Sequence, residues 1–540
     1  MPELAVSRVT GFGDAGLDAE WEKYCGYLDL TMDEFQEIQA RLLQEQIALV
    51  AETPIGRKMF RGRVPLSEAE FREFVPLTTY SDYVAFFDEG QDESLGGAPH
   101  IWAHTTGAQA GFKWVPYSVR GLERLLDSLM GAFILAAADR KGEVNVRPGD
   151  TVLYNTPERP YVSGLVTFGM PARFGFQTVL SPEASEHMDF RERIRAGFRA
   201  ALGKQVDVII SMTSVLTRVG QGFSDQTRTT TLNKSMLRPR AFWRIARSLV
   251  KRKLLRMQVL PKDLWPTKAI LGWGTDTSFF RDQVARYWGH IPFEIYACTE
   301  GALMAAETWE RNGLVLNPYA DFYEFIPLEE SIRSREDERF QPRTLLIDEV
   351  EPGKMYELVI SNFYGMGFFR YRVGHLVKFL PESEQSDTFA LPQFTFEGRA
   401  DDRIDMAGFT RLDAKTIWEA MDKSGYAYQD WSVRKEFKGD SPILHMFLEL
   451  KGPAAQAIEP DDAAMTIHHA IRDIDPFYGD LETMLGIIPL KVTLLQAGTF
   501  DRFYDVRKAG GYDLELRTPP KMNTPDDDVA ALLAASAAGV

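Results

Sequence analysis

Cysteine is almost absent from this 540-residue sequence, which contains only Cys25 and Cys298. Without a Cys-x-x-Cys pair or a Cys/His array, the chain lacks the spacing of a structural zinc site. Two thiols suit a reducing compartment without disulfide bonds. The N-terminus has no basic start followed by an apolar core, and no run of about 18 apolar residues occurs, so we expect neither a secretory signal nor a membrane span. These absences predict a cytoplasmic protein without a membrane partner.

Long basic runs are missing as well, and the formal net charge is −16 with a pI near 5.2. This balance disfavours nucleic acid and anionic membranes as main partners. Apolar residues are abundant, at 45% of the chain, and 12% of the chain is aromatic. A chain of this length and composition can bury a large core, and we expect two or three packed units.

Helical and strand-like patterns alternate along the first 300 residues. Apolar residues recur at helical spacing in Met32–Thr53, where Pro54 stops the pattern, and again in Gly121–Asp139. Four short runs have the character of buried strands: Thr151–Asn155, Val206–Met212, Thr267–Gly272 and Phe293–Ala297. Strands that alternate with helices predict an α/β fold with a substantially parallel sheet.

The second half of the sequence has a different organisation. The charged stretch Arg333–Arg343 predicts a solvated surface loop. From Tyr356 onward we expect closely spaced strands. We place a domain boundary near residue 397, followed by an α+β unit. Its last stretch, Pro525–Val540, is expected to be a loose tail or a short helix.

Two strings in the first 301 residues carry candidate site residues. In His104–Lys113 (HTTGAQAGFK), hydroxyls precede two glycines and a lysine follows, so backbone N–H groups and a mobile positive charge could meet a polyphosphate. The string is not the GxxxxGK[ST] P-loop, and a Gly/Thr turn also explains it. In Tyr296–Gly301 (YACTEG), a hydroxyl and a carboxylate after an apolar run suit a magnesium–phosphate contact, while Thr299 as a helix cap is the alternative. Cys298 has no basic neighbour in sequence, and we interpret it as a packing residue.

Two further strings follow, one before and one after the domain boundary near residue 397. They are Tyr371–His375 (YRVGH) and Gly398–Gly408 (GRADDRIDMAG). The planar fork of Arg399 can pair with a ribose hydroxyl or a phosphate, and the adjacent acids can accept from hydroxyls. Taken alone, such charges usually belong to a solvated hairpin.

In order along the chain, the four strings resemble the core motifs of the adenylate-forming superfamily, which includes acyl-CoA synthetases, luciferases and peptide-synthetase adenylation domains. The phosphate loop of that superfamily resembles Thr105–Lys113, and its adenine-and-magnesium motif resembles Tyr296–Gly301. Its ribose motif, Tyr-Arg-x-Gly-Asp, is similar to Tyr371–His375, and its hinge motif, Gly-Arg-x-Asp-Asp-x-Ile, is similar to Gly398–Ile404. The hinge string is the most specific of the four.

Within the superfamily, the closest resemblance is to the auxin-responsive acyl acid amido synthetases, which adenylate a carboxylate and pass the acyl group to an amino acid. It rests on Leu153–Gly164 (LYNTPERPYVSG), Ile210–Leu216 (ISMTSVL), Asn362–Gly365 (NFYG) and the ending Gly498–Asp501 (GTFD) with Arg517-Thr518-Pro519. The resemblance implies a large N-terminal ATP- and acyl-binding domain (1–397) with mixed or parallel sheets. It also implies a smaller, mobile α+β domain (398–540) that swings about Asp401.

The resemblance also implies a role for each matched residue, with ATP and Mg²⁺ as cofactors. The groups it implies are Thr105, Thr106, Gly107 and Lys113 for phosphates; Gly272, Tyr296, Ala297 and Thr299 around adenine; Glu300 for the metal; His375, Arg399 and Asp401 for ribose; and Lys521 or Arg517 for the α-phosphate. Glu300, Lys113, Lys521 and Arg517 are the catalytic candidates. We place the acyl pocket between Tyr117–Leu126, Tyr161–Thr167 and Met212–Val219, with an apolar or aromatic acid as the expected substrate.

The sequence departs from the family pattern at four positions. Ala108 and Gln109 stand where the phosphate loop usually has hydroxyls, His375 replaces the ribose-binding aspartate, and Arg517 stands at the expected lysine. An imidazole cannot grip two hydroxyls as a carboxylate does.

We therefore predict an AMP-forming ligase that joins a small carboxylic acid to an amine or amino acid. The alternatives are a ligase that makes a thioester on coenzyme A or a carrier protein, and a degenerate relative that only binds nucleotide. A second string, His468–Asp473 (HHAIRD), fits the HHxxxD motif of acyl-transfer condensation enzymes. The glycine that usually follows is absent, and a helix in the small domain is the preferred interpretation.

Overall fold

The protein is described by a computed structural model. It covers residues 6–9, 12, 16–87, 92–95, 101–105, 113–188, 190–225, 259–273, 277–337, 339–400, 403–406, 410–438, 441–452, 457–475, 478–479, 488–509 and 521–538. The chain divides into two compact units, Met1–Phe396 and Glu397–Val540. Within the described ranges, no helix is both long and apolar enough to cross a membrane.

The first unit contains twelve of the described helices. They are α1 (Leu17–Cys25), α2 (Met32–Val50), α3 (Pro54–Phe60), α4 (Glu68–Phe74), α5 (Val119–Ala136), α6 (Val162–Phe174), α7 (Pro182–Ser185), α8 (Phe190–Ala201), α9 (Thr213–Asp225), α10 (Pro261–Leu264), α11 (Thr277–Trp288) and α12 (Leu328–Glu336).

The strands of the first unit form a two-stranded ribbon and one large sheet. The ribbon pairs β1 (Ile101–His104) with β2 (Trp114–Tyr117). The sheet strands are β3 (Thr151–Asn155), β4 (Gln177–Thr178), β5 (Val208–Met212), β6 (Ala269–Trp273), β7 (Phe293–Cys298), β8 (Ala302–Glu307), β9 (Leu314–Leu316), β10 (Asp321–Pro327), β11 (Met355–Asn362), β12 (Tyr371–Phe379) and β13 (Gln393–Arg399).

The sheet changes from parallel to antiparallel at β7. Its order is β10-β11-β12-β13-β9-β8-β7-β6-β5-β3-β4. Strands β4, β3, β5, β6 and β7 pair in parallel, whereas β8 pairs antiparallel with β7 and β9 pairs antiparallel with β8. The α/β class is confirmed, but the prediction of a substantially parallel sheet holds for only half of it. The reason is the connections: helices link the parallel strands, while short turns join β7 to β9 and favour antiparallel pairing.

Two local predictions need correction. The helix predicted to end at Pro54 already ends at Val50, and Pro54 is the first residue of α3, where its missing N–H costs nothing and Thr53 caps the backbone N–H of Gly56. The predicted surface loop Arg333–Arg343 begins inside a helix, because α12 extends to Glu336. The first turn of α12 carries acidic residues and its last turn carries arginines, which is the favourable arrangement for the helix dipole.

The second unit packs helices on both faces of a three-stranded sheet. This sheet contains β16 (Tyr428–Lys438), β17 (Ser441–Leu450) and β18 (Leu490–Leu495), while β14 (Ile404–Met406) and β15 (Thr410–Leu412) form a separate ribbon. The described helices of the unit are α13 (Ala414–Lys423), α14 (Pro460–Ile474), α15 (Thr499–Ala509) and α16 (Asp526–Ala537). Residues of β17 alternate between two cores, as the two-residue period of a strand requires. Met446 packs with α13 and α14, whereas Phe447 packs with α15 and α16.

Of the two alternatives predicted for Pro525–Val540, a loose tail or a short helix, the structure has the helix, and it is docked. In α16, Leu532 is fully buried against the α15 side chains Phe500 and Phe503, while its neighbour Leu533 is 42% exposed. We expect Leu532→Ala to lower the free energy of unfolding of the second unit by about 2–4 kcal/mol, because deletion of the buried leucine methyl groups leaves a cavity. Leu533→Ala should change it by less than about 0.5 kcal/mol. Guanidinium unfolding measures both, and equal effects would contradict the docking of α16.

Candidate active site

The site lies where the sheet changes direction. Strand β7 pairs in parallel with β6 and antiparallel with β8, and the turn Thr299–Gly301, called the Glu300 turn below, connects β7 to β8. Ligands of open α/β sheets bind at the edge beyond the carboxyl ends of the parallel strands, and Glu300 follows the carboxyl end of β7. The sheet therefore places Glu300 at such an edge.

Residues from three of the four strings meet at Glu300. The ammonium of Lys113 lies 3.8 Å from Glu300 Oε1, and the Tyr371 hydroxyl donates to the same oxygen at 3.2 Å. Lys113 Nζ also donates to the Tyr371 hydroxyl at 3.4 Å and lies 5.3 Å from the centroid of the Tyr80 ring. The Glu300 side chain is 11% exposed and that of Lys113 is 37% exposed, so an incoming anion can reach the lysine from solvent.

The ends of the predicted phosphate loop are held together. The Thr105 backbone N–H donates to the Lys113 carbonyl at 3.0 Å, next to the β1–β2 ribbon. Thr106, Gly107, Ala108 and Gln109 lie outside the described residues. The structure thus places Thr105 and Lys113 at the mouth of one loop, with Lys113 directed to Glu300.

The predicted adenine and ribose residues adjoin one another. The Tyr296 hydroxyl and His375 Nδ1 are 2.8 Å apart, and the Phe396 ring packs against both side chains. Gly272 is buried, and a Cβ there would lie 2.9 Å from Thr213 Oγ1, so close packing requires glycine. Ala297 is exposed and Thr299 is half-buried.

In the second unit, Lys521 is held by its own domain. It forms an ion pair with Asp430 and donates to the Trp431 carbonyl at 3.2 Å. Its ammonium also lies 5.3 Å from the Trp418 ring and 5.1 Å from the Trp431 ring. Arg399 is half-buried at the end of β13, while Asp401 and Arg517 lie outside the described residues.

Buried acids and thiols surround the Glu300 turn. Burial raises the pKa of the Asp321 carboxyl well above its usual range, although Asn362 donates to it at 2.8 Å. Burial, reinforced by the Glu300 charge, also raises the pKa of the Cys298 thiol well above its usual value. A thiol that stays protonated is a poor nucleophile, which agrees with the interpretation of Cys298 as a packing residue.

This protonation state predicts slow thiol chemistry. The chain has only two cysteines, and burial raises the pKa of the Cys25 thiol as well. In the native protein at pH 7.5, we expect both thiols to react with iodoacetamide at least about tenfold more slowly than free cysteine, since the thiolate fraction falls tenfold per unit of pKa. Both should react fully after denaturation. Rapid alkylation of native Cys298 would show that the site stabilises a thiolate there.

The His468 string does not form an accessible base. The His468 ring is fully buried in α14, and its Nδ1 lies 3.2 Å from the Tyr478 hydroxyl. The neighbouring His469 is exposed. A general base must reach the proton that it removes, so the preferred interpretation as a packed helix agrees with the structure.

The acyl-pocket prediction maps onto three adjoining elements. Tyr117–Leu126 spans the end of β2 and the first half of α5, Tyr161–Thr167 begins α6, and Met212–Val219 joins the end of β5 to α9. Helices α5 and α6 pack together, since a Cβ at Gly169 would contact Leu126. The position of the acyl pocket stays a prediction.

Sequence reasoning missed two groups that hold the Glu300 turn. The Tyr117 hydroxyl donates to the Thr299 carbonyl at 2.6 Å, and Asn362 Nδ2 donates to the Glu300 carbonyl at 2.9 Å. Asn362 opens the NFYG string, which was noted only as part of the family resemblance. A polar residue at the end of an otherwise apolar strand was the available signal.

Residues 314–399 match the GH3 family central domain. This range runs from β9 to β13 and contains Asn362, Tyr371 and His375. This part of the chain is similar to the GH3 family. The resemblance to the auxin-responsive amido synthetases is thereby confirmed.

Two GH3 relatives show how far the similarity extends. Over 228 residues the chain is 27% identical to jasmonoyl–L-amino acid synthetase GH3.5 of Oryza sativa subsp. japonica, a match that covers 40% of this chain and 38% of the relative. Over 216 residues it is 24% identical to a GH3 domain-containing protein of Homo sapiens, covering 38% of each chain. The chain thus spans less than half the length of the curated GH3 relatives it matches.

Solved structures agree over nearly the whole chain. GH3.15 acyl acid amido synthetase superposes with a TM-score of 0.64 at 16% identity, covering 93% of this chain and 94% of that chain. A 2-hydroxyisobutyryl-CoA ligase in the postadenylation state superposes with a TM-score of 0.56 at 15% identity, covering 86% of each chain. At these identities the likeness shows the fold, and it confirms the predicted fold class.

Proposed function

We propose that this protein uses ATP to activate a carboxylic acid as an acyl-adenylate and then transfers the acyl group to an amine or amino acid. The observation that carries the proposal is the convergence of Lys113, Tyr371 and Glu300 beside the switch in sheet direction. A cation and a carboxylate at that edge suit a polyphosphate with its metal ion. The same fold in GH3.15 acyl acid amido synthetase supports this assignment.

In the first half-reaction, an oxygen of the substrate carboxylate attacks the α-phosphorus of ATP, the bond to the β-phosphate breaks and pyrophosphate leaves. We assign Thr105, Thr106, Gly107 and Lys113 to the phosphates. The protein mainly positions the reactants and neutralises charge, as in other phosphate-transfer reactions. Lys521 or Arg517 is proposed to approach the α-phosphate, and for Lys521 this requires release from Asp430.

Glu300 is the proposed metal ligand. Mg²⁺ usually takes one or two carboxylates and completes its shell with water and substrate phosphates. Glu300 fits that role, because only one of its oxygens accepts a side-chain hydrogen bond and, within the described ranges, no cluster of three His, Cys, Asp or Glu side chains forms a protein cage. When bound, Mg²⁺ offsets the charge of the leaving pyrophosphate.

The nucleoside is assigned to the aromatic side of the site. We propose that Gly272, Tyr296 and Ala297 flank adenine with Thr299 beside them. Ribose is assigned to His375, Arg399 and Asp401. His375 Nδ1 lies 2.8 Å from the Tyr296 hydroxyl, and this contact orients the imidazole ring beside the proposed nucleoside site.

In the second half-reaction, the amine nitrogen attacks the acyl carbon, the bond to the adenylate oxygen breaks, AMP leaves with that electron pair and the nitrogen loses a proton to solvent. We propose that residues 1–397 bind ATP and the acid, and that residues 398–540 swing about Asp401 between the half-reactions. Such domain rotations are hinge motions. The partners are then a small acid and an amine, without nucleic acid or membrane, and the proposed location is the cytoplasm.

An exchange assay followed by an acceptor screen tests the proposal. Wild-type protein should incorporate labelled pyrophosphate into ATP in the presence of one or more acids from a panel of apolar and aromatic carboxylates. Amino acids should then drive AMP release. Release driven only by coenzyme A would replace the amide assignment by a thioester ligase. If no acid supports exchange although the protein binds ATP, the protein is a degenerate nucleotide-binding relative.

A further inference from the structure

The Glu300 turn is fixed by three side chains from distant parts of the first unit. Tyr117, at the end of β2, donates to the Thr299 carbonyl at 2.6 Å. Asn362, at the end of β11, donates to the Glu300 carbonyl at 2.9 Å, and Tyr371 donates to the Glu300 carboxylate at 3.2 Å. Two of these bonds hold the backbone of the turn and the third holds the side chain.

Asn362 does more than hold one carbonyl. Its Nδ2 also donates to Asp321 Oδ1 at 2.8 Å, and its Oδ1 accepts from the Phe368 backbone N–H at 3.0 Å. Its own backbone N–H donates to the Phe368 carbonyl at 2.9 Å. Since a primary amide offers two donors and an acceptor, one fully buried side chain thus joins the Glu300 turn to the loop that leads into Tyr371.

The backbone around this junction is strained on both sides. Ala302, directly after the Glu300 turn, has φ +54°, and Tyr364 and Arg370, in the loop before Tyr371, have φ +61° and +44°. Left-handed backbone at residues other than glycine costs roughly 1–3 kcal/mol each and persists only where surrounding bonds over-determine it. Such strain concentrates at functional sites, and here it flanks the two segments that Asn362 joins.

We propose that Asn362 is a positioning residue that sets the orientation of Glu300 toward a nucleotide-bound divalent cation. This inference rests on the proposed function, because it assigns Glu300 to the metal. The Asn362 amide fixes the Glu300 carbonyl and, through Phe368, the approach of the Tyr371 hydroxyl to the Glu300 carboxylate. Losing the amide releases both constraints at once, while the contacts of Lys113 with the phosphates remain.

Asp321 shares the Asn362 amide with the Glu300 turn. Nδ2 of Asn362 donates both to Asp321 Oδ1 and to the Glu300 carbonyl. Burial raises the pKa of the Asp321 carboxyl well above its usual range, which favours the neutral form. Replacing Asp321 by asparagine keeps the shape of the side chain and an acceptor oxygen, which makes that variant a stringent comparison.

The test compares Asn362→Leu with Asn317→Leu in the full-length protein. Asn317 is a buried asparagine of the same unit, bonded to Ser128 and to the Tyr319 backbone, and it does not contact the Glu300 turn. Both variants lose a buried amide of equal size, so a general loss of stability affects both. Asp321→Asn is the third variant, and Asn362→Ser replaces Asn362→Leu if the latter does not fold.

Two measurements are made on each variant. Calorimetry gives the ratio of ATP affinities with Mg²⁺ and with EDTA, and pyrophosphate exchange gives the Mg²⁺ concentration for half-maximal rate. For Asn362→Leu we expect the ratio of ATP affinities with Mg²⁺ and with EDTA to fall about tenfold, which corresponds to about 1.4 kcal/mol of binding free energy. The Mg²⁺ concentration for half-maximal exchange should rise by a similar factor. Asn317→Leu and Asp321→Asn should match the wild type in both.

The outcomes separate the two proposals. A wild-type Mg²⁺ dependence in the Asn362 variant, or an equal shift in the Asn317 variant, overturns the positioning role. If wild-type protein catalyses no exchange, the proposed function fails, while the calorimetric ratio still decides whether Asn362 orients Glu300 toward the metal–nucleotide complex.

Discussion

Replacing Glu300 with glutamine is expected to lower pyrophosphate exchange by about 100-fold or more while the protein stays folded. The change removes the carboxylate that accepts from Tyr371 and lies 3.8 Å from the Lys113 ammonium. A preorganised charge at the reacting phosphates typically lowers the activation free energy by several kcal/mol. Glutamine keeps the size and can still accept from Tyr371, so the loss should fall on the metal-dependent step rather than on folding. Exchange rates at saturating ATP and acid, over a range of Mg²⁺ concentrations, measure it.

Glu310→Gln is the matched control. Glu310 lies in the turn between β8 and β9, is half-buried and accepts a hydrogen bond from Thr388. We expect its exchange rate to stay within about twofold of wild type, because surface polar contacts contribute little. A Glu300→Gln protein with a normal rate would remove Glu300 from the chemistry and with it the proposed metal ligand.

Replacing Arg370 with methionine is expected to cost the first unit about 3 kcal/mol of unfolding free energy, because the buried Glu324 carboxylate loses its closer cationic partner and keeps Arg72 at 3.6 Å. The Arg370 guanidinium makes a two-pronged pair with Glu324 and donates to the carbonyls of Arg72 and Val75 and to the Thr344 hydroxyl. Both charged side chains are almost fully buried, at 8% and 1% exposure. Denaturant unfolding, followed by tryptophan fluorescence, measures the loss.

Two further variants separate the buried pair from a generic arginine effect. Arg343→Met removes an ion pair with Glu330 in which the arginine is 68% exposed, and it should cost less than about 1 kcal/mol. Combining Arg370→Met with Glu324→Gln removes both charges, so the double variant should lose at least about 1 kcal/mol less than the sum of the singles. Strict additivity would mean that the two charges do not stabilise each other.

The parallel half of the fold follows from local sequence. Thr151–Asn155 was predicted as a strand and forms β3 with the same limits, because a short apolar run between turn signals can only be a buried strand or a core helix, and five residues are too few for the helix. The strand pairing of the antiparallel half was harder to predict from the sequence. Its pairings depend on which strands become neighbours, and β13 inserts between β12 and β9, which no periodicity encodes.

A sequence string indicates candidate site residues where it carries its own chemistry, but not where a contact spans distant segments. Lys113 and Glu300 were both identified from strings, and the structure brings them together. The contacts of Asn362 and Tyr117 with the Glu300 turn were not predicted, because each side chain binds a backbone carbonyl 62 or 182 residues away. Every residue has a backbone carbonyl, so the sequence does not indicate which carbonyl accepts a side-chain hydrogen bond.

The insertion of β13 sets an order for assembly on the ribosome. Strands β7 to β9 and β10 to β12 each form a ribbon from segments that are close in sequence, and such local pairings form early. Each ribbon keeps an open edge until Gln393 and Phe394 of β13 pair with β9. An open strand edge invites pairing with other chains. The nascent first unit therefore stays prone to misassociation until the last residues before Glu397 have left the exit tunnel, so truncation just upstream of β13 should yield aggregates rather than a smaller soluble domain.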